Sequence, residues 1–187
     1  MGDDGNLRVL GFAGSLRKAS YNRAALRAAQ ELTPPGMTIE TFDLAPIPIY
    51  NDDVRLQGYP PAAEAFRERI KAADAVLIVT PEYNHSIPGV LKNAIDWASR
   101  PPDQPFNDKP VARMSVSPSA LGGVRAQMHL RQCFLFLNAP VMGPPEVLIG
   151  NAPGRFDAEG RLTDEPTREF VRKLLAGLAA WTRRLRD

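Results

Sequence analysis

Short apolar, β-rich runs alternate with stretches of helical period along almost the whole chain. That alternation is the strongest constraint on the fold, because a strand–helix–strand rhythm builds a parallel sheet covered by helices. The run Ala75-Val76-Leu77-Ile78-Val79 is apolar at every position. A strand with one wet face would alternate, so this one is covered on both faces. Other strands are expected over 7–12, over 37–42 (where Met37, Ile39 and Thr41 alternate with polar residues) and over 111–116. A fifth lies within 140–149, a stretch interrupted by Pro144 and Pro145. Helices are expected over 22–32, stopped by Pro34-Pro35-Gly36; over 62–73, striped by Phe66, Ile70 and Ala73; and over 88–99, with Pro88 tolerated in the first turn. Two more cover 124–137 and 164–186. The last is striped by Val171, Leu174, Leu178, Trp181 and Leu185, and Arg183, Arg184 and Arg186 end it in accord with the helix dipole. Residues 43–61, rich in Pro, Asn and Asp, read as a long loop.

Five strands and five helices predict an α/β, doubly wound, five-stranded parallel sheet with helices on both faces, in the flavodoxin-like order 2-1-3-4-5. The 187 residues fit one domain, 1–187. In that order the chain reverses direction between strands 1 and 3, and ligands bind outside the carboxyl ends of the strands at the reversal. The loops that matter are therefore 13–22, 81–88 and 117–123.

Composition narrows the partners. Lys and Arg exceed Asp and Glu by a net charge of only +2, with no dense basic block, so no nucleic-acid partner is expected. No run of ~18 apolar residues is present, so no membrane span is expected. The segment 1–6 lacks the basic and apolar regions of a signal peptide, and Asn6 stands where a myristoylation signal needs Ser or Thr. A single cysteine, Cys133, excludes an intrachain disulfide framework and is read as a buried structural thiol. These features point to a soluble cytoplasmic protein.

In the first loop, Gly14-Ser15-Leu16-Arg17-Lys18-Ala19-Ser20-Tyr21-Asn22, two hydroxyls, an amide and a guanidinium precede a helix N-terminus. Backbone N–H groups there favour an anion, and these side chains would complete a cradle for a terminal phosphate. The plainer alternative is that Ser20 or Asn22 only caps the helix and Arg17 is a solvated charge. Neither the Gly-x-Gly-x-x-Gly fingerprint nor a Walker A loop is present. In the second loop, Thr80-Pro81-Glu82-Tyr83-Asn84-His85-Ser86-Ile87-Pro88-Gly89, prolines bound a stiff segment. It could offer backbone groups to a flat heterocycle with Tyr83 packed on the ring, or be a turn with Tyr83 as surface cover. His85 has no second His or Cys close in sequence, so a metal role is not expected. The third loop, Ser117-Pro118-Ser119-Ala120-Leu121-Gly122-Gly123, allows close approach to a ligand or only a sharp entry into the next helix. That helix has one apolar face of Ala126, Leu130, Cys133 and Leu137. A second, of Val124, Met128 and Leu135, suits a subunit contact or burial under a loop.

Taken together, 14–22, then Pro81-Glu82-Tyr83-Asn84-His85-Ser86-Ile87-Pro88-Gly89-Val90-Leu91-Lys92-Asn93-Ala94-Ile95-Asp96-Trp97, then Gly122-Gly123-Val124-Arg125-Ala126-Gln127 resemble the NADPH-dependent FMN reductase family, which includes bacterial chromate, quinone and azo reductases. Order and spacing fit over about residues 7 to 180. Ser117-Pro118-Ser119-Ala120 departs from the family pattern, which carries an early glycine in that loop.

The resemblance implies FMN as cofactor and NADPH or NADH as co-substrate. Ser15, Arg17, Ser20 and Asn22 would hold the FMN phosphate, with Leu16 among the cofactor contacts. Pro81, Glu82, Tyr83 and Asn84 would border the isoalloxazine, and Ser117 would touch the flavin. No catalytic acid or base is expected, since the chemistry belongs to the flavin. The implied reaction is ping-pong hydride transfer from NAD(P)H to FMN, then to a small-molecule electron acceptor: quinone, chromate, azo compound or free flavin. A homodimer or homotetramer is the implied assembly. Three rivals stand beside this reading: a flavodoxin-type electron carrier, which is commonly acidic where this chain is +2; a non-redox α/β binding domain; and a reductase that releases reduced FMN.

Overall fold

In the computed structural model, which describes residues 5–186, the chain runs β1 (Leu7–Ala13), α1 (Tyr21–Glu31), β2 (Met37–Phe42), α2 (Asp52–Leu56), α3 (Pro61–Ala72), β3 (Ala75–Thr80), α4 (Gly89–Ala98), β4 (Val111–Val116), α5 (Val124–Phe136), β5 (Val147–Ile149) and α6 (Glu165–Arg184). Residues 1–4 of the segment read for targeting signals lie outside the described residues. The strands form one sheet in the order β2-β1-β3-β4-β5, every pair parallel. This is the flavodoxin-like order, and β1 and β3 lie side by side at the reversal.

Period-2 alternation sends β1 and β3 side chains to two cores. Leu7, Val9 and Ala13, with Ala75, Leu77 and Val79, meet α1 and α6. Leu10 and Phe12, with Val76 and Ile78, meet α3, α4 and α5. All six β3 residues are buried, which accounts for the continuous apolar run. Each Leu or Ile so buried contributes roughly 1.5–3 kcal/mol relative to exposure.

On four points the structure corrects three sequence expectations and sets the limits of the fifth strand, which lies within 140–149 as expected. First, the 43–61 loop contains the short helix α2, capped by the Asn51 carboxamide, which accepts the Asp53 N–H at 2.9 Å. Its approach is fixed from α4, where Asn93 Nδ2 and Trp97 Nε1 both donate to the Pro48 carbonyl at 2.8 Å. Second, β5 is confined to Val147–Ile149, with only an isolated bridge from Val141 to Val111 before it. Pro144 and Pro145 carry no N–H, so the ladder cannot continue through them. Third, Phe134 rather than Cys133 completes the buried stripe of α5. Cys133 is half-buried, and its thiol is pushed up by burial, which keeps it protonated and unreactive at neutral pH. Fourth, Leu185 at the end of the α6 stripe is 43% exposed.

Candidate functional site

The loops after β1, β3 and β4 gather at the carboxyl edge of the sheet. The first is drawn to β3 by Gly14, whose N–H donates to the Val79 carbonyl at 2.8 Å. A Cβ on Gly14 would stand 3.2 Å from Leu91, so glycine permits this approach.

Ser20 is the N-cap of α1, and its hydroxyl accepts the Asn22 N–H at 3.2 Å. A single cap satisfies one of the first-turn donors and leaves others facing the loop. No acidic residue stands in that first turn. Ser15 is buried at 5% exposure, and among the described residues none hydrogen-bonds its hydroxyl. Leu16, Arg17 and Lys18 are exposed, and the two cations enter no ion pair among the described residues. Two clefts flank the loop. Ser15 lines one with Arg23, Thr41 and Asp43. Arg17, Lys18 and Ser20 line the other with the turn at 157–160. Unpartnered hydroxyl, free guanidinium and helix N-terminus are the donor set a phosphate needs.

Asn22 is placed differently from the cradle the sequence suggests. Its side chain is buried, Nδ2 donates to the Val116 carbonyl at 3.0 Å, and Oδ1 accepts the Val116 N–H at 3.0 Å. It clamps α1 to the end of β4.

In the second loop, Asn84 and His85 have φ of +50° and +60°. Tyr83 and Ser86 exchange both backbone hydrogen bonds at 3.0 Å. Two left-handed central residues between such a pair make a type I′ turn. The left-handed backbone of His85, which has a Cβ, costs about 1–2 kcal/mol. Such strain concentrates at ligand sites. Pro81 and Pro88 are buried on either side, whereas Tyr83, Asn84 and His85 are exposed. The side chains of these three residues face solvent.

The Glu82 side chain is engaged by α5. One carboxylate oxygen accepts the N–H of Arg125 at 3.0 Å and of Ala126 at 3.2 Å, and the other lies 3.7 Å from the Arg125 guanidinium. Glu82 thus caps α5. Sequence reasoning also missed His129, whose Nδ1 lies 3.0 Å from Ser86 Oγ. No local signal marks either contact, since each spans 43 residues.

The third loop is packed by its glycines. A Cβ on Gly122 would meet Leu148 backbone at 2.8 Å, and one on Gly123 would meet Ser115 Cβ at 2.9 Å. Beneath them Ser115 Oγ donates to the Gly122 carbonyl at 2.5 Å and accepts Gln127 Nε2 at 2.8 Å. Ser117 and Ser119 form their own turn, with the Ser119 N–H donating to Ser117 Oγ at 3.1 Å. No cluster of His, Cys, Asp and Glu able to hold a metal occurs among the described residues, and no helix there is long and apolar enough to cross a membrane.

The family model for NADPH-dependent FMN reductase matches residues 7–154, which include all three loops. An NAD(P)H-dependent FMN reductase of Pseudomonas aeruginosa is 55% identical over 186 residues, covering 100% of each chain. An NADPH:quinone oxidoreductase of Arabidopsis thaliana is 46% identical over 96% of this chain and 93% of its own. The flavoenzyme NAD(P)H:(acceptor) oxidoreductase of Paracoccus denitrificans superposes with a TM-score of 0.87 at 35% identity, over 95% of this chain and 98% of its own. With a family match across the sheet and the three loops at its carboxyl edge, and relatives alike over nearly their full length, the chain belongs to the NADPH-dependent FMN reductase family.

Proposed function

We propose that this chain is a single flavodoxin-like unit that binds FMN and reduces a quinone-class acceptor at the expense of NAD(P)H, in ping-pong order. The observation that carries the reading is the start of α1, where one loop carries a buried hydroxyl (Ser15), a guanidinium with no ion pair among the described residues (Arg17) and a helix N-terminus with no acidic residue in its first turn. FMN, when bound, supplies the hydride-accepting and electron-releasing chemistry. The residues supply the rest. Ser15, Arg17 and Ser20 hold the phosphate, with Leu16 beside them. Pro81, Tyr83 and Asn84 border the ring, and Ser117 approaches it from the β4 loop. Asn22 and Glu82 hold the loops in place through Val116 and α5.

The relatives named as quinone reductases and quinone oxidoreductases support a quinone as acceptor. Chromate, azo compounds and free flavin are further acceptors that an open flavin site would take. The chain is read as a cytoplasmic homodimer or homotetramer, and exposed apolar side chains support the assembly: Met128, Leu135 and Phe136 on α5 are 56%, 81% and 86% exposed.

The test is the visible spectrum of the protein after FMN addition and desalting, followed anaerobically by NADPH and then a quinone. Bands that persist through desalting, bleach with NADPH and return with quinone are expected. Bands that resist both NADPH and NADH would indicate an electron carrier, and no retained flavin would overturn the phosphate cradle.

A further inference from the structure

Helix α5 cannot cap itself. Its N-cap is Gly123, at φ +86°, and any Cβ there would lie 2.9 Å from Ser115 Cβ. A Ser, Thr, Asp or Asn is therefore excluded, and the N–H groups of the first turn need an acceptor from elsewhere. Glu82 supplies it across 43 residues of sequence, with its side chain only 13% exposed. The next four residues are the type I′ turn. At the far side of that turn Ser86 meets His129, one helical turn along α5, at 3.0 Å. The turn is thus held at both ends by one helix. That helix is in turn fixed to the sheet by Gln127, which donates to Ser115 Oγ at 2.8 Å and to the Val147 carbonyl at 2.9 Å.

We propose that Glu82 is a positioning residue: its carboxylate fixes Tyr83 and Asn84 relative to the β4 loop, and it does so by capping α5 rather than by touching the flavin. The inference rests on the FMN-binding reading above and deepens it. The cap has an electrostatic consequence as well. The carboxylate is compensated by two N–H dipoles and by Arg125, so it presents little net negative charge to a ring that gains electrons.

The experiment compares the FMN-loaded wild-type protein with Glu82→Ala and Glu82→Gln, the latter keeping an acceptor oxygen without the charge. Three quantities are read: amide exchange at Arg125 and Ala126, the FMN dissociation constant, and the shape of the bound-flavin absorption bands together with the rate of bleaching by NADPH. In Glu82→Ala, exchange at both amides should accelerate, the flavin bands should change shape and bleaching should slow about tenfold, as a small misplacement of an orienting loop does. FMN affinity should stay within about threefold, because the phosphate end is untouched. Glu82→Gln should recover the band shape and most of the rate. Should Glu82→Ala fail to fold, Ser86→Ala replaces it and should change the bands in the same sense. Flavin bands and bleaching identical in wild type and variants would overturn the positioning role alone. A wild-type chain that binds no FMN would overturn the reading of the site, and this inference with it.

Discussion

Helices α1 and α5 both begin at the carboxyl edge of the sheet after a glycine-bearing loop, yet their first turns are completed in opposite ways. At α1 the cap is local: Ser20 takes one N–H, and no acidic residue follows in the first turn. At α5 the cap is remote and charged, because Glu82 takes two N–H groups and neutralises that end. Only α1 keeps the positive pole that draws an anion. Of these two N-termini on the ligand side, side-chain placement closes one and leaves the other open. On the proposed reading, this is why the phosphate would sit beside Ser15 and Arg17 and not beside Gly122 and Gly123.

Exchanging the two styles of cap tests this contrast most severely. Gly123→Ser would give α5 the residue type that α1 uses, but it forces a Cβ to 2.9 Å from Ser115 Cβ at φ +86°. Destabilisation of roughly 3 kcal/mol is expected in chemical denaturation; an unchanged midpoint would show that α5 accepts a local cap. Asn22→Ala comes next. It leaves the buried N–H and carbonyl of Val116 without partners, a loss of about 2–3 kcal/mol. FMN should protect this variant against heat as it does wild type; loss of that protection would return Asn22 to the cradle. Arg17→Ala acts only at the open end. FMN affinity should fall roughly 10- to 100-fold, as expected for a charge-assisted contact, with the melting temperature of the flavin-free protein unmoved. An unchanged FMN dissociation constant, read by flavin fluorescence, would remove Arg17 from the site. The smallest change is Ser20→Ala. Losing the cap should lower stability by about 1 kcal/mol and also weaken FMN binding, whereas a purely structural Ser20 would show the first effect alone in paired melting and binding measurements.

The sheet was largely legible because its strands carry local signals. The bounds of β2 and β4 match the sequence reading, and β3 extends it by one residue. The elements missed or left without limits are those that depend on partners. β5 is cut short by two prolines, and α2 is only five residues long, too short for a periodicity to register. At the site, the open end of α1 could be read because its donors are neighbours in sequence. The closed end of α5 could not, since Gly123 excludes a local cap and Glu82 lies in another loop. The same holds for α5's buried stripe. Cys133 and Phe134 are adjacent, and only packing against Phe106, whose ring centroid lies 5.2 Å from that of Phe134, decides which faces inward.

The clamp between Asn22 and Val116 joins residues 94 positions apart. Closing so long a loop is an entropic cost that must be met before the contact can return anything. The start of α1 therefore cannot take its final shape from the first hundred residues alone, although the side chains proposed to hold the phosphate, Ser15, Arg17 and Ser20, are made within the first twenty. An emerging chain that ends before β4 should have no affinity for FMN. Capture of the cofactor then becomes a late event in folding, one that reports that the middle of the sheet has been completed.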